Sequence, residues 1–394
     1  MQDNNIKVAI IDNGLNQGLF HELTTRQIKA YQIKDGLCVL EEGDTSLYGI
    51  NHGTVCAALL TEFASDAELL SISLKERGDL PVANLETALI WCMNHQVNVI
   101  CMSIGISRLV EIKRLIPLFY VLASKGITII AAGSNNDIIT YPAALPIVIG
   151  VRYKEHDEGM SVIKNPLDGI DIEADMPQAR ILIELEETYN FVPPITNSIV
   201  TPYVTSKIIK LIIKENKNYT SLEHLKQAFG VYVNANIKEV KDNFSAVLRE
   251  DLLMLENIEI PIIGLIYDKD QINAMMELSI SLHNILCKND YNGVLFSTTI
   301  DRDIENNVFH IDENKMESDL IKYIGITSSD IILLHLPSSV LYKQRVRFMD
   351  LIIQCEGSKF VYWEEEKLNY ICENTEKYNI SAQYIFNIIE ETFR

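Results

Sequence analysis

Signals for export or membrane insertion are missing from this sequence. The opening stretch, MQDNNIKVAIIDNG, has no basic n-region and no apolar h-region, so it does not read as a signal peptide. No apolar run reaches the roughly 20 residues of a membrane span. Paired cysteines are missing too. Cys38, Cys56, Cys92, Cys101, Cys287, Cys355 and Cys372 are odd in number, form no C-x-x-C pair, and in several cases lie inside apolar runs. That usage fits buried free thiols in a reducing compartment and excludes a disulfide framework or zinc site. The expected location is therefore cytoplasmic. Basic residues are scarce, 34 Lys and Arg against 54 Asp and Glu, for a net charge of −20. A polyanionic nucleic-acid backbone would be repelled, which excludes that class of partner. A basic peptide is compatible with the charge, although acidic solubility explains it as well.

With 47% hydrophobic and 22% charged residues in 394, the chain can bury sizeable cores. Its length suits two domains at roughly 100–200 residues each. In the first half, Ile- and Val-rich runs at 6–12, 68–74, 98–105, 127–133 and 146–151 read as buried strands of a parallel sheet. Between them, 82–95 and 110–126 carry apolar residues at helical spacing, the second closing on Gly126 as a C-cap. A helix is expected over 202–215, with Pro202 at its first position, where a missing N–H costs nothing. Residues 221–229 give a smaller helix, and 231–258 look like a charged, irregular connector. A second α/β rhythm follows: strand 260–268, helix 272–289, strand 292–298, strand 330–337, a helix near 340–355, strand 359–365 and a terminal helix. The expected fold class is α/β, a doubly wound parallel sheet with a second α/β domain. The boundaries read as a first domain over 1–229, a connector over 230–258 and a C-terminal α/β domain over 259–394.

Three residues at element ends form a candidate nucleophile–base–acid set. Asp12 closes the first strand in AIIDNG, His52 opens HGTVCAALL, and Ser198 lies in TNSIVTPYV. In parallel α/β sheets ligands collect at the carboxyl ends of strands and the helix starts beside them. Taken singly, Asp12 could simply end a strand and Ser198 could be only a helix cap. His52 beside Gly-Thr at a helix start has no packing reason.

The order Asp, His, Ser in the settings IDNG, HGTVCA and TNSIVTPYV resembles the subtilisin-like serine proteases. VNVICMSIG is similar to that family's strand flanking the substrate groove, ITIIAAGSNN to its oxyanion segment, and YPAALPIVIGV to its Y-P-A segment. Six ordered motifs over residues 6–215 make the likeness specific. The resemblance implies Ser198 as nucleophile, His52 as general base and then acid, and Asp12 as the group holding the imidazolium. It also implies an extended substrate added as a strand against Ser103, Ile104, Gly105 and Ala131, Ala132, Gly133. Many relatives bind calcium, but no dense Asp/Asn loop stands out here, so no cofactor or metal is expected.

Departures from the family pattern sharpen the expectation. The family places an oxyanion-donating Asn directly after the Gly of AAG, whereas here Ser134 follows, then Asn135 and Asn136. Either the Ser134 hydroxyl donates, or a one-residue loop shift brings Asn135 into place. Thr196-Asn197 stands where the family has Gly-Thr, which implies an altered turn and makes Asn197 a further candidate donor. The first strand is expected close to Met1, with no pro-segment before it. Together these features suit a slow, dedicated intracellular processing protease, and the leader of a ribosomally made precursor peptide is the expected target. The competing expectation is a peptide-binding scaffold that kept the fold and lost turnover.

In the second half, strand–turn–helix spacing around Gly264 invites comparison with a phosphate-binding loop. The fixed positions hold Lys269, Asp270 and Gln271 where Gly, Lys and Ser/Thr are required, and Asp270 would repel a phosphate. A nucleotide-free, degenerate P-loop-like or Rossmann-like module is expected. Its layout resembles accessory domains of bacterial peptide-maturation systems, which implies leader holding, partner docking or self-association through 259–394.

Overall fold

The computed structural model describes residues 6–42, 45–74, 82–155, 159–216, 219, 221–239, 259–339, 349–356, 359–364, 367–372 and 378–393. The chain divides into two compact units. The first comprises Met1–Ile106 with Arg114–Asn243, and the second Ser107–Lys113 with Phe244–Arg394.

The first unit carries strands β1 (Lys7–Asp12), β2 (Lys29–Lys34), β3 (Leu37–Leu40), β4 (Glu68–Ser73), β5 (Val99–Met102), β6 (Thr128–Ala132), β7 (Ile149–Tyr153), β8 (Met160–Lys164), β9 (Ile170–Ala174) and β10 (Asn236–Glu239). In space they run β10-β8-β9-β7-β6-β5-β1-β4-β2-β3. The β2–β3 and β8–β9 pairs are antiparallel, and the other pairs are parallel. The central strands are nearly continuous apolar runs because helices cover both faces. Strand β9, IDIEA, is also buried yet carries two acids. Lys226 lies 2.9 Å from Asp171, while Arg152 and Lys238 lie 2.9 and 3.0 Å from Glu173, so each carboxylate enters the interior with cationic partners.

The helices preceding the second unit's main segment are α1 (Gln17–Thr24), α2 (His52–Phe63), α3 (Val82–Asn94), α4 (Leu109–Ile112), α5 (Ile116–Ser124), α6 (Arg180–Tyr189), α7 (Asn197–Glu215) and α8 (Leu222–Val233). The helix expected over 110–126 is interrupted: α4 is a single turn, a 3₁₀ turn covers Lys113–Leu115, and α5 restarts with Pro117 in its first turn. Gly126 then takes φ +78°, the left-handed conformation that ends it. Helix α7 also departs from expectation. It starts at Asn197 and not at Pro202, with Thr196 as N-cap, so Ser198 lies inside its first turn and Pro202 inside the helix. Buried Val200, Val204 and Ile208 seat α7 against α2 and β5–β7. Residues 230–239, expected to be connector, form the end of α8 and strand β10, which pairs with β8. The remainder, 240–258, lies outside the described residues.

The second unit holds β11 (Ile262–Tyr267), β12 (Gly293–Ser297), β13 (Val308–His310), β14 (Ile331–Pro337), β15 (Leu351–Glu356), β16 (Lys359–Glu364) and β17 (Lys367–Cys372), ordered β13-β12-β14-β11-β15-β16-β17. Its longer helices are α9 (Ile272–Lys288), α10 (Met316–Ile326) and a terminal helix, Tyr378–Phe393. The helix expected near 340–355 is overturned at its C-terminal part. Residues 351–356 form β15, parallel to β11, with Leu351, Ile353 and Cys355 buried at the two-residue period of a strand. Residues 340–348 lie outside the described residues. The short segment Ser107–Lys113 is built into this unit: Arg108 Nη1 lies 2.7 Å from Asp330, and the Leu109 N–H donates to Asn292 Oδ1 at 3.1 Å. Among the described residues no helix is long and apolar enough to cross a membrane.

Candidate active site

Asp12 ends β1, and its side chain is turned by its neighbour, the Asn13 N–H donating to Oδ1 at 2.7 Å. The loop that follows is stitched to the start of α2. Asn51 caps that helix through Thr54 N–H at 3.0 Å and donates from Nδ2 to Gly14 O, also at 3.0 Å. Asn13 Oδ1 accepts from Gly53 N–H at 3.1 Å. A Cβ on Gly53 would lie 2.2 Å from Gly14 O, so only glycine permits this approach. The approach brings His52, the first residue of α2, onto Asp12.

His52 Nδ1 lies 2.9 and 3.1 Å from the two carboxylate oxygens of Asp12, and Nε2 lies 2.8 Å from Ser198 Oγ. Asp12 is 5% exposed and His52 32%. Burial presses the His52 pKa down, but the hydrogen bond and charge of Asp12 more than offset it, and the net shift is upward. With Nδ1–H donating to a carboxylate, the neutral ring offers its Nε2 lone pair to the Ser198 hydroxyl. That arrangement can accept a proton from Ser198 and stabilise the imidazolium that results.

Cys56, one turn along α2, closes the underside. Its Sγ lies 3.6 and 3.7 Å from the two His52 ring nitrogens and 3.6 Å from Ser198 O. Pro202 has no N–H to give that carbonyl, so the thiol is its donor. Asp12, His52 and Cys56 present potential metal-ligand atoms within 4.8 Å of one another. Burial, reinforced by the Asp12 charge, holds the Cys56 pKa well above its usual value, and a protonated thiol is a poor ligand.

The candidate oxyanion residues separate by their hydrogen bonds. Asn197 is buried; its Nδ2 donates to Gly133 O at 3.2 Å and Ser134 O at 2.6 Å, while Oδ1 accepts from Tyr153 N–H at 2.8 Å. Its side chain ties the 133–134 turn to β7 and is not a free donor, which corrects the expectation for this residue. The Asn197 backbone N–H donates to Asn135 Oδ1 at 3.0 Å. That bond fixes which end of the Asn135 amide is oxygen and leaves Nδ2 with no hydrogen-bond partner among the described residues. Ser134 Oγ accepts from Asn136 N–H at 3.1 Å, closing a local turn.

The expected substrate strand needs a correction. Ala131 pairs with Met102 of β5 on one side and Gly150 of β7 on the other, Ala132 pairs with Val151, and Gly133 N–H donates to Val151 O. Ala131 therefore lies inside the sheet with no open edge, while Ala132 and Gly133 are bonded on the β7 side. Ser103, Ile104 and Gly105 run past the end of β5, beside Thr140, before Ile106 bridges to Tyr141. Two residues touching the reacting group escaped the sequence reading. Cys56 lay within a quoted motif, and Thr196 was read only as a sign of altered backbone. Thr196 has φ −138° and ψ 170°, an extended conformation open to any residue, so glycine is not needed there.

Residues 3–225 match the subtilase family. No curated protein matches the chain. Among solved structures the chain is similar to a lanthipeptide protease, at 17% identity and TM-score 0.41, covering 56% of this chain and 78% of that one. It is also similar to the epidermin leader peptide processing serine protease from Staphylococcus aureus, at 15% identity and TM-score 0.43, covering 58% and 68%. A third likeness is to the nisin leader peptidase from Lactococcus lactis, at 14% identity and TM-score 0.41, covering 57% and 81%. Scores this low leave substrate and mechanism to the chain's own residues.

Proposed function

The chain belongs to the subtilase family and is a serine peptidase, and from that premise we propose that Asp12, His52 and Ser198 carry out peptide-bond hydrolysis through an acyl-enzyme. The observation that carries this reading is the unbroken hydrogen-bonded line from Asp12 through His52 to Ser198, at 2.9 and 2.8 Å. Ser198 Oγ attacks the scissile carbonyl as its proton passes to His52 Nε2. The imidazolium, held by Asp12, returns that proton to the leaving amine. Water then attacks the ester, giving its proton to His52, and the acid product leaves as Oγ regains a proton.

The tetrahedral oxyanion forms at the start of α7. The Ser198 N–H, in the helix's first turn, has no intrahelical acceptor, and the helix dipole favours negative charge there. Asn135 Nδ2 supplies the side-chain donor, in keeping with a one-residue shift of the loop relative to the family pattern. The substrate is a specific peptide, the leader of a ribosomally synthesised precursor, lying extended along Ser103–Gly105. The non-consensus 134–135 and 196–197 positions suit a dedicated enzyme, and residues 259–394 hold the leader or a maturation partner.

The test is intact-mass spectrometry after exposure to a fluorophosphonate. The expected result is one adduct, an Oγ–P bond formed with loss of fluoride and a proton, absent from Ser198→Ala and slowed in His52→Ala. A folded protein that takes no label would overturn the reading in favour of a non-hydrolytic scaffold. Mass analysis of precursor peptides incubated with the labelling-competent protein then identifies the bond cleaved.

A further inference from the structure

A second hydroxyl touches the nucleophile. Thr196 Oγ1 lies 3.0 Å from Ser198 Oγ. Thr196 is the N-cap of α7, a position where a threonine side chain ordinarily accepts from a first-turn N–H, yet here it makes no cap hydrogen bond. The proton count fixes the direction of its bond. With His52 neutral and Nδ1–H directed at Asp12, the single Ser198 proton is donated to Nε2, so the Thr196 hydroxyl must be the donor to Ser198 Oγ. The nucleophile oxygen is thus held from two sides, accepting from Thr196 and donating to His52.

We infer that Thr196 is a further catalytic residue, whose hydroxyl locks Ser198 Oγ in the rotamer facing His52 and stabilises the negative charge that grows on that oxygen as its proton departs. This inference rests on the triad reading above. Once Oγ becomes the ester oxygen of the acyl-enzyme it is a weaker acceptor, so the bond contributes most while the charge is developing, as catalysis requires. Thr196 is only half-buried and no other hydrogen bond is seen at its hydroxyl among the described residues, so replacing it leaves the fold intact.

The experiment compares fluorophosphonate labelling rates and thermal midpoints of the full-length wild type, Thr196→Val, Thr196→Ser and Ser198→Ala. Thr196→Val keeps the shape without the hydroxyl and should label about three- to tenfold more slowly, the rate equivalent of one neutral hydrogen bond. Its thermal midpoint should stay at the wild-type value, and Thr196→Ser should restore labelling. A valine variant that labels as fast as wild type, or faster, overturns the role of Thr196 while the triad stands. A valine variant slowed only in step with a lowered midpoint, with no rescue by serine, also overturns it and leaves a structural residue. Absence of label on folded wild type overturns the triad reading and this inference together.

Discussion

Two histidines near the carboxyl ends of parallel strands, one in each unit, have opposite fates. His52 stands at the start of α2 against Asp12, and the carboxylate lifts its pKa despite burial. His335, on β14, is fully buried, stacks on Tyr267 with ring centroids 4.4 Å apart, and meets Ser297 Oγ at 2.9 Å. No carboxylate compensates there, and burial pushes its pKa down to about 4. Both rings lie near the carboxyl ends of strands, but the partner decides the chemistry. A carboxylate raises the basicity of a half-buried ring, whereas a hydroxyl and an aromatic face leave a buried one neutral.

The largest effect should come from removing the first unit's pair. Ser198→Ala or His52→Ala should cost about 10⁶ in kcat, the figure known for the family's prototype, while His335→Gln leaves kcat unchanged. Loss of labelling in a folded His335→Gln protein would break the comparison outright. Next is the donor. Asn135→Leu should lower kcat by roughly 10²–10³ with little change in KM, again the scale of the prototype's equivalent donor. If Ser134→Ala shows that loss instead, the loop is not shifted.

Acid should separate the units. His335 and His283 are both pushed to about 4 by burial. Their ordinary value is about 6.5, so on acidification the unfolded chain takes up these protons first. Stability should therefore fall between about pH 6.5 and pH 4, by roughly 3 kcal/mol for each histidine. Urea titrations across that range should show the fall, and His335→Gln should remove its share. His52 behaves oppositely: its raised pKa places the acid limb of the labelling rate above the usual histidine value. The smallest effect tests charge burial away from both histidines. Glu173 is held below the usual carboxylate range: burial acts to raise it, and Arg152 and Lys238 prevail. Glu173→Gln should cost about 2 kcal/mol at neutral pH. Because the folded pKa is depressed, that cost is present above the unfolded value and fades as pH falls through the folded one.

The catalytic candidates were legible because each sits in a short motif whose chemistry is local: a strand-ending Asp12, a helix-opening His52, a Ser198 just ahead of a proline. Hydrogen-bond direction was not legible. Asn197 looked like a spare donor because nothing in the sequence shows that Gly133 O, Ser134 O and Tyr153 N–H converge on it. Pro202 looked like a helix start because proline favours that position, but the Cys56 thiol answers the carbonyl it leaves unpaired. The central apolar strands were plain, whereas β9 escaped because Asp171 and Glu173 are charged residues whose cationic partners come from β7, α8 and β10. At 351–356 a run of apolar residues fits a helix or a buried strand equally, and pairing with β11 decided it.

The seven residues Ser107–Lys113 give the gene a practical constraint. They are encoded between β5 and α5 of the first unit, yet they fold as part of the second. A stop codon after residue 243 would not yield a clean peptidase domain. It would leave the Leu109 N–H without Asn292 and Arg108 without Asp330. These two units cannot be separated by a single cut in the DNA, and any shortened enzyme would need this stretch redesigned as well.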